Sequence, residues 1–227
     1  MIQFFGGLRA SVVASTPEPV LQRIRARRRA SCFRAAGVVF VHVPRTAGTS
    51  ITSALYGRFI GHFGLIDLLA VAPADVLALP RFTIVRNPWD RLVSAWSFAC
   101  AGGGACNHAA IRVHNPGQYA VPEFATFERF VEEWLPAHDP KHIDGIFRPQ
   151  QDYVLNRQGK LDFAHCGRLE NLAATEEWLS DTLHRPVAFT RQNASARTSY
   201  RDYYTPRLRD LVAQMYAADI ALLNYEF

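Results

Sequence analysis

The sequence predicts an α/β fold, a central and mainly parallel sheet flanked by helices, and three observations predict it. Short apolar runs rich in β-branched and aromatic residues, Val38–Val43 and Arg81–Arg86, alternate with stretches of helical spacing. Each of these two runs is followed at once by residues suited to opening a helix, so strand passes to helix through a tight loop. Strands separated by helices belong in a parallel sheet, because a parallel pair needs a long crossover between its members. A chain of 227 residues, 49% apolar and 20% charged, is long enough for one sizeable core and short for two domains.

The elements follow in order. Residues 1–20 are expected to be weakly structured, with Pro17 and Pro19 interrupting any helix. Leu21–Arg34 packs six arginines into a short span, either a patch for an acidic polymer or an anionic membrane surface, or a solvated basic helix. Residues 1–36 thus read as a basic extension and 37–227 as one domain. The first strand gives way at Pro44 to a small, hydroxylated loop, and a helix runs to about Gly57. Gly61 to Gly64 breaks the pattern, and an apolar stretch from Leu65 to Leu79 holds a short helix near Asp75. After the second strand, Asn87 is suited to cap a helix, Pro88 to its first position and Asp90 to its positive end. That helix runs through Phe98 and stops in Gly102–Gly104, and the polar stretch to about Pro122 reads as a surface loop or lid. Helices are expected over Thr126–Leu135, Pro149–Leu155 and Leu172–Leu183, the last capped by Asn171, with a strand over Leu161–Cys166. A final helix, capped by Thr205, is expected to run to about Leu223.

Function is written at the two strand-to-helix junctions. In Pro44-Arg-Thr-Ala-Gly-Thr-Ser50, backbone N–H groups and a positive helix end meet a fixed cation and three hydroxyls, a cradle for phosphate or sulfate. It is not the nucleotide-triphosphate loop, which needs G-x-x-x-x-G-K-[ST]; only Gly48 is present and no lysine follows it. At the second junction Arg86 ends a strand, where α/β sheets collect ligands, and Ser94 lies about two helical turns on. An arginine fork with a hydroxyl is a good phosphate clamp.

The loop closely resembles the P-K-T-A-G-T-S loop that binds the 5′-phosphosulfate in sulfotransferases of the carbohydrate branch, to which heparan sulfate 2-O-sulfotransferase belongs. Arg86, Asn87, Pro88, Arg91 and Ser94 fill every place of that branch's 3′-phosphate motif, R-[DN]-P-x-x-R-x-x-S. Gly167-Arg-Leu-Glu-Asn-Leu172 and Asn193-Ala-Ser-Ala-Arg-Thr-Ser-Tyr200 resemble two further stretches, so the likeness covers about residues 37–227. It implies a P-loop-like three-layer fold and 3′-phosphoadenosine 5′-phosphosulfate (PAPS) as co-substrate, with no metal required. It implies that Arg45, Thr46, Ala47, Gly48, Thr49 and Ser50 hold the 5′-phosphosulfate. Arg86 and Ser94, with Arg197, Thr198 and Ser199 of a closing loop, would hold the 3′-phosphate end. Arg91 is either part of that clamp or a structural partner of Asp90 or Glu170. Arg45 stands where the family has lysine; being permanently protonated, it suits charge stabilisation of the leaving group and not proton donation.

For the base, Gly61-His62 resembles the G-H that carries the family's catalytic histidine, and a neutral histidine accepts a hydroxyl proton near pH 7. His42, beside the loop, is the rival, and Asp67 comes third. His142, Arg148 and Gln151 resemble a segment near the acceptor cleft. The acceptor implied is a hydroxyl of an anionic carbohydrate or glycolipid. The net charge of +5 suits an anionic partner without choosing one; nucleic acid is not expected. Rival readings are a small-molecule or nucleoside kinase, against which stand the missing G-K-[ST] and the lack of a clear magnesium-binding carboxylate, and a non-enzymatic polyanion binder acting through its arginines.

No run reaches the length of a membrane helix, and the start lacks a basic region followed by an apolar core. A cytoplasmic protein is expected, with peripheral membrane contact through Arg23–Arg34. The four cysteines show no zinc spacing; Cys100 and Cys106 flank a glycine loop that a disulfide would close, and free buried thiols are the favoured reading.

Overall fold

The computed structural model describes residues 28–106, 109–112, 116–139, 143–190 and 198–227. Its centre is a parallel sheet of three strands, β1 (Val39–Val41), β2 (Arg81–Val85) and β5 (His165–Arg168), in the order β1-β2-β5. The register sets Val41 beside Thr83 and Val85 beside Arg168, so all three strands deliver their chains to one edge of the sheet. Alternation along β1 divides its side chains between two cores, as the pleat requires. Val39 and Val41 join Phe33, Phe63 and Leu68 on one face, while Phe40 joins Phe82, Ile84, Ile51, Leu55 and Leu179 on the other.

Helices cover both faces. Residues 28–36 form α1, whose Ala30 and Phe33 are 2% and 1% exposed, so this part of the basic run is built into the core. Helix α2 (Gly48–Tyr56) ends on Gly57, whose left-handed φ of 64° suits a residue without a Cβ, and α3 (Leu65–Val71) and α4 (Ala74–Leu77) follow. Helix α5 (Pro88–Cys100) starts as its sequence dictates: the Asn87 side chain accepts the N–H of Trp89 and Pro88 occupies the first turn. Tyr56 protects the outer side of β1, its hydroxyl taking the N–H of Phe40 and donating to the carbonyl of Val38.

Four expectations of secondary structure are corrected. The stretch read as loop or lid contains an antiparallel pair, β3 (Gly103–Cys106) and β4 (Ala109–Arg112), because its small residues pair backbones without an apolar alternation to announce it. The amphipathic helix from Thr126 is α6 (Phe127–Arg129), running into a π-turn over Phe130–Trp134 and a tight turn at Pro136. The third strand is displaced towards Arg168. Arg81 holds both carboxylate oxygens of Asp162 at 3.1 Å, and pairing starts only beyond Ala164, whose N–H meets the Arg81 carbonyl. Gly167 sits inside that strand because a Cβ there would lie 2.2 Å from Thr175 Oγ1. Helices α7 (Gln151–Val154) and α8 (Leu172–Leu183) fall where expected. The last helix, however, is two, α9 (Pro206–Met215) and α10 (Ala217–Leu223), broken at Tyr216, whose hydroxyl donates to Phe147 O at 2.7 Å.

Cys32, Cys100 and Cys166 are free thiols; Cys100 and Cys166 are exposed, not buried, and the Cys106 side chain lies outside the description. Among the described residues, no helix is long and apolar enough to cross a membrane.

Candidate functional site

The site lies where β1 and β2 end. Beyond β1 the loop carries two non-glycine residues in the left-handed region, Arg45 at φ 71° and Ala47 at φ 61°. Each costs about 1–2 kcal/mol and persists only if the surroundings over-determine it. They do. Three consecutive carbonyls are held in turn: Val43 O by the Thr46 hydroxyl at 2.8 Å, Pro44 O by Arg91 Nε at 3.0 Å, and Arg45 O by Arg86 Nη1 at 3.0 Å. Because C=O and N–H are opposed across a trans peptide, the amides of Arg45 and Thr46 point the other way. Helix α2 then begins with Ala47 at its cap position, which supplies no side-chain acceptor to the first N–H groups of Gly48, Thr49 and Ser50. Such a helix start is a ready anion site.

Gly48 is required here by contact. A Cβ on it would lie 1.6 Å from His42 Nε2, so the His42 ring fills the space beneath the loop. His42 is 3% exposed, stacks on Phe40 and leaves its Nδ1 without a partner among the described residues. Burial above all, then His62 and Arg45, hold it well below the ordinary histidine pKa, so it is a neutral packing element.

The second junction is tied to the first. Arg45 reaches α5, its Nε and Nη2 lying 3.2 and 3.0 Å from Ser94 Oγ and its guanidinium 4.2 Å from the Phe98 ring. Arg86 is 9% exposed and pairs through Nε with Asp90 at 2.7 Å. Its backbone is gripped by the Gln150 amide, which accepts the Arg86 N–H at 3.0 Å and donates to its carbonyl at 2.8 Å. Gln150 is held in turn by the buried Asp219, whose carboxylate accepts the N–H groups of Gln150 and Gln151 at 2.6 and 2.8 Å. Arg91, 2% exposed, finds neither Asp90 nor Glu170; it donates to the carbonyls of Pro44, Gly145 and Arg148. Glu170 instead takes the N–H of Asn87 and the hydroxyl of Tyr225, and Arg168 holds the carbonyls of Leu223 and Asn224. The Gly167–Leu172 stretch therefore fastens the C-terminus to the strand ends.

His62 is exposed at the side of this cluster, its ring centroid 4.2 Å from that of His42. Its Nδ1 lies 3.3 Å from the His42 carbonyl, which can only accept, so Nδ1 carries the proton and Nε2 is the basic nitrogen of the neutral ring. Crowding by surrounding protein lowers its pKa to about 4, opposed by that hydrogen bond and by Asp144 and assisted by Arg91 and Arg29. The exposure of His62 to solvent opposes that depression, and the neutral form dominates at pH 7 either way.

The remaining expected residues are placed as follows. The Thr46 hydroxyl turns inward, leaving its amide to face the other way. Asp67 caps α3 through the N–H of Gly64. Thr198 is exposed, and Ser199 caps the turn Tyr200–Tyr203; that turn lies beside the start of α5, where Tyr204 donates to Trp89 O. Arg148 is exposed and donates to Ile143 O. Gln151 contributes its backbone to Asp219. Arg197 and His142 lie outside the described residues, as do Arg23, Arg25 and Arg27. Gln150 and Asp219 escaped the sequence reading; the polar residues opening α7 were the only local hint. No group of metal-binding side chains is found among the described residues.

Comparison with known families finds a match to the model described as "Sulfotransferase family" over residues 78–226. The matched span contains the Arg86–Ser94 junction and the Gly167–Leu172 fastening, and begins after the Pro44–Ser50 loop and His62. No curated protein matches the chain at a significant level.

Proposed function

The chain belongs to the sulfotransferase family, whose chemistry is sulfuryl transfer, and from that premise we propose that it uses PAPS to sulfate a hydroxyl of a carbohydrate or glycolipid. One observation carries the reading: two anion-binding junctions at adjacent strand ends are tied into a single cluster, Arg45 on Ser94 and Arg86 on the Arg45 carbonyl. A donor with phosphate at one end and phosphosulfate at the other fits two such sites. Arg45, the loop amides, Thr49 and Ser50 would take the phosphosulfate. Arg86 and Ser94 would take the 3′-phosphate, with Thr198, Ser199 and Arg197 closing over it. The bound donor supplies an activated sulfuryl group, displaced in line by the acceptor oxygen while charge builds on the departing phosphate. The Arg45 guanidinium stabilises that charge without giving up a proton.

His62 Nε2 is the base in this reading, and His42 the partner whose carbonyl fixes its tautomer. Arg148 and Gln151 stand as acceptor contacts, with the acceptor's anionic groups meeting the net positive charge of +5. The test is release of 3′-phosphoadenosine 5′-phosphate from PAPS in the presence of a panel of desulfated polysaccharides and glycolipids. We expect acceptor-dependent release, reduced roughly 10²- to 10⁴-fold in His62→Ala. Because the His62 pKa is lowered, the acid limb of turnover should fall below about 6.5, the value of a free histidine. The same shift places its contribution to stability above the unfolded pKa, to be lost as pH falls through about 4. A His62→Ala enzyme with undiminished release would remove His62 from the chemistry.

A further inference from the structure

Among the described residues of the basic run, two arginines are engaged by the fold. Arg34 Nη2 lies 3.0 Å from Asp75 Oδ1, anchoring α1 to α4. Arg29 does something more local. Its Nε donates to the carbonyl of Ile60 at 2.9 Å, and its guanidinium carbon stands 4.5 Å from the centre of the Phe63 ring. Between these contacts the chain turns through Gly61, at φ 79°, where a Cβ would come within 3.3 Å of Arg29 Nη2. Phe33, one helical turn beyond Arg29, packs its ring 6.1 Å from that of Phe63. Ile60 and Phe63 are buried, at 7% and 6% exposure, and the residue they leave projecting is His62.

On the reading of His62 as the base, we infer that Arg29 is a positioning residue: it grips the chain on both sides of His62 and so sets the aim of the imidazole. The grip has two independent points. The Ile60 hydrogen bond fixes the backbone before the left-handed turn, and the stacked guanidinium fixes the ring after it. Only then can Nδ1 of His62 stay on the His42 carbonyl and hold Nε2 as the accepting nitrogen. The charged and titratable groups facing His62 are His42 at the end of β1, Asp144, Arg91 on α5, and Arg29 itself. The basic run, which charge alone would assign to an acidic surface, thereby reaches the chemistry of the site through one of its members.

The experiment is an NMR titration of the His62 ring in the full chain without donor or acceptor, the resonance assigned with His62→Gln. Arg29→Gln should move the His62 midpoint upward, towards that of a free histidine, as the ring loosens into water and a nearby cation is lost. Arg29→Lys, which keeps charge and stem but loses the Nε donor, should give a smaller upward shift. Midpoints in both variants equal to the parent would overturn the inference, even if melting temperatures fell, because that is the behaviour of a purely structural arginine. A shift in Arg29→Gln that is absent in Arg29→Lys would also overturn it, leaving a charge effect with no grip. Should Arg29→Gln fail to fold, Arg29→Lys decides alone. No donor is present, so a failed donor assignment leaves this result readable, and the His62→Ala turnover test judges the base separately.

Discussion

Gly48→Ala should abolish stabilisation by 3′-phosphoadenosine 5′-phosphate and lower folding stability by about 3 kcal/mol. The new methyl would sit 1.6 Å from His42 Nε2, so either the buried ring stacked on Phe40 or the loop must shift. Either His42 is driven out of the core or the loop lifts, and in both cases the left-handed turn at Arg45 and Ala47 loses its brace. Removing the obstacle should undo the damage. In the double variant Gly48→Ala/His42→Ala the ring is gone, and stability should recover well beyond the sum of the single changes. Urea unfolding of the four proteins measures the coupling. Strict additivity would show that the ring does not support the loop.

The second large effect is expected at Arg91. Arg91→Met keeps the aliphatic stem and removes every donor, leaving the buried carbonyl of Pro44 and the partly buried carbonyl of Arg148 without that partner. A loss of about 3 kcal/mol follows, at roughly 1–3 kcal/mol for each orphaned acceptor. Gly145 is spared, since the Tyr153 hydroxyl also reaches its carbonyl, at 3.0 Å. Affinity for the donor analogue should fall in parallel, because the Pro44 carbonyl is one of the three that set the loop's direction. Thermal melting with and without 3′-phosphoadenosine 5′-phosphate separates the two losses. A variant that melts early yet is stabilised as fully by the analogue as the parent would confine Arg91 to folding.

These effects show where the sequence could be read and where it could not. The start of α5 was legible because everything that makes it is local: Asn87 caps, Pro88 opens, and both act within one turn. The Pro44–Ser50 segment was legible as a turn from strand to helix, but the inward turn of the Thr46 hydroxyl was not, since it depends on the Val43 carbonyl being presented by a left-handed turn. Strand β5 was displaced in the reading because its register is set by the Arg81–Asp162 fork, 81 positions apart in the chain. Gln150 escaped for the same reason: what makes it matter is the backbone of Arg86, 64 positions away. Arg91 was weighed as an ion-pair partner because charge is what a sequence displays; carbonyls, which every residue owns, are invisible until the fold collects them. Arg29 looked like one cation among six for that reason too.

The central claim is that the two junctions together form one site for a donor bearing a 3′-phosphate. It is tested most directly by thermal stabilisation with 3′-phosphoadenosine 5′-phosphate against ATP with magnesium, using the parent, Arg86→Ala and Ser94→Ala. The account predicts a clear upward shift in melting temperature with the 3′-phosphate compound, little with ATP and magnesium, and loss of selectivity in both variants. A preference for ATP with magnesium, or a shift untouched by either substitution, would contradict it.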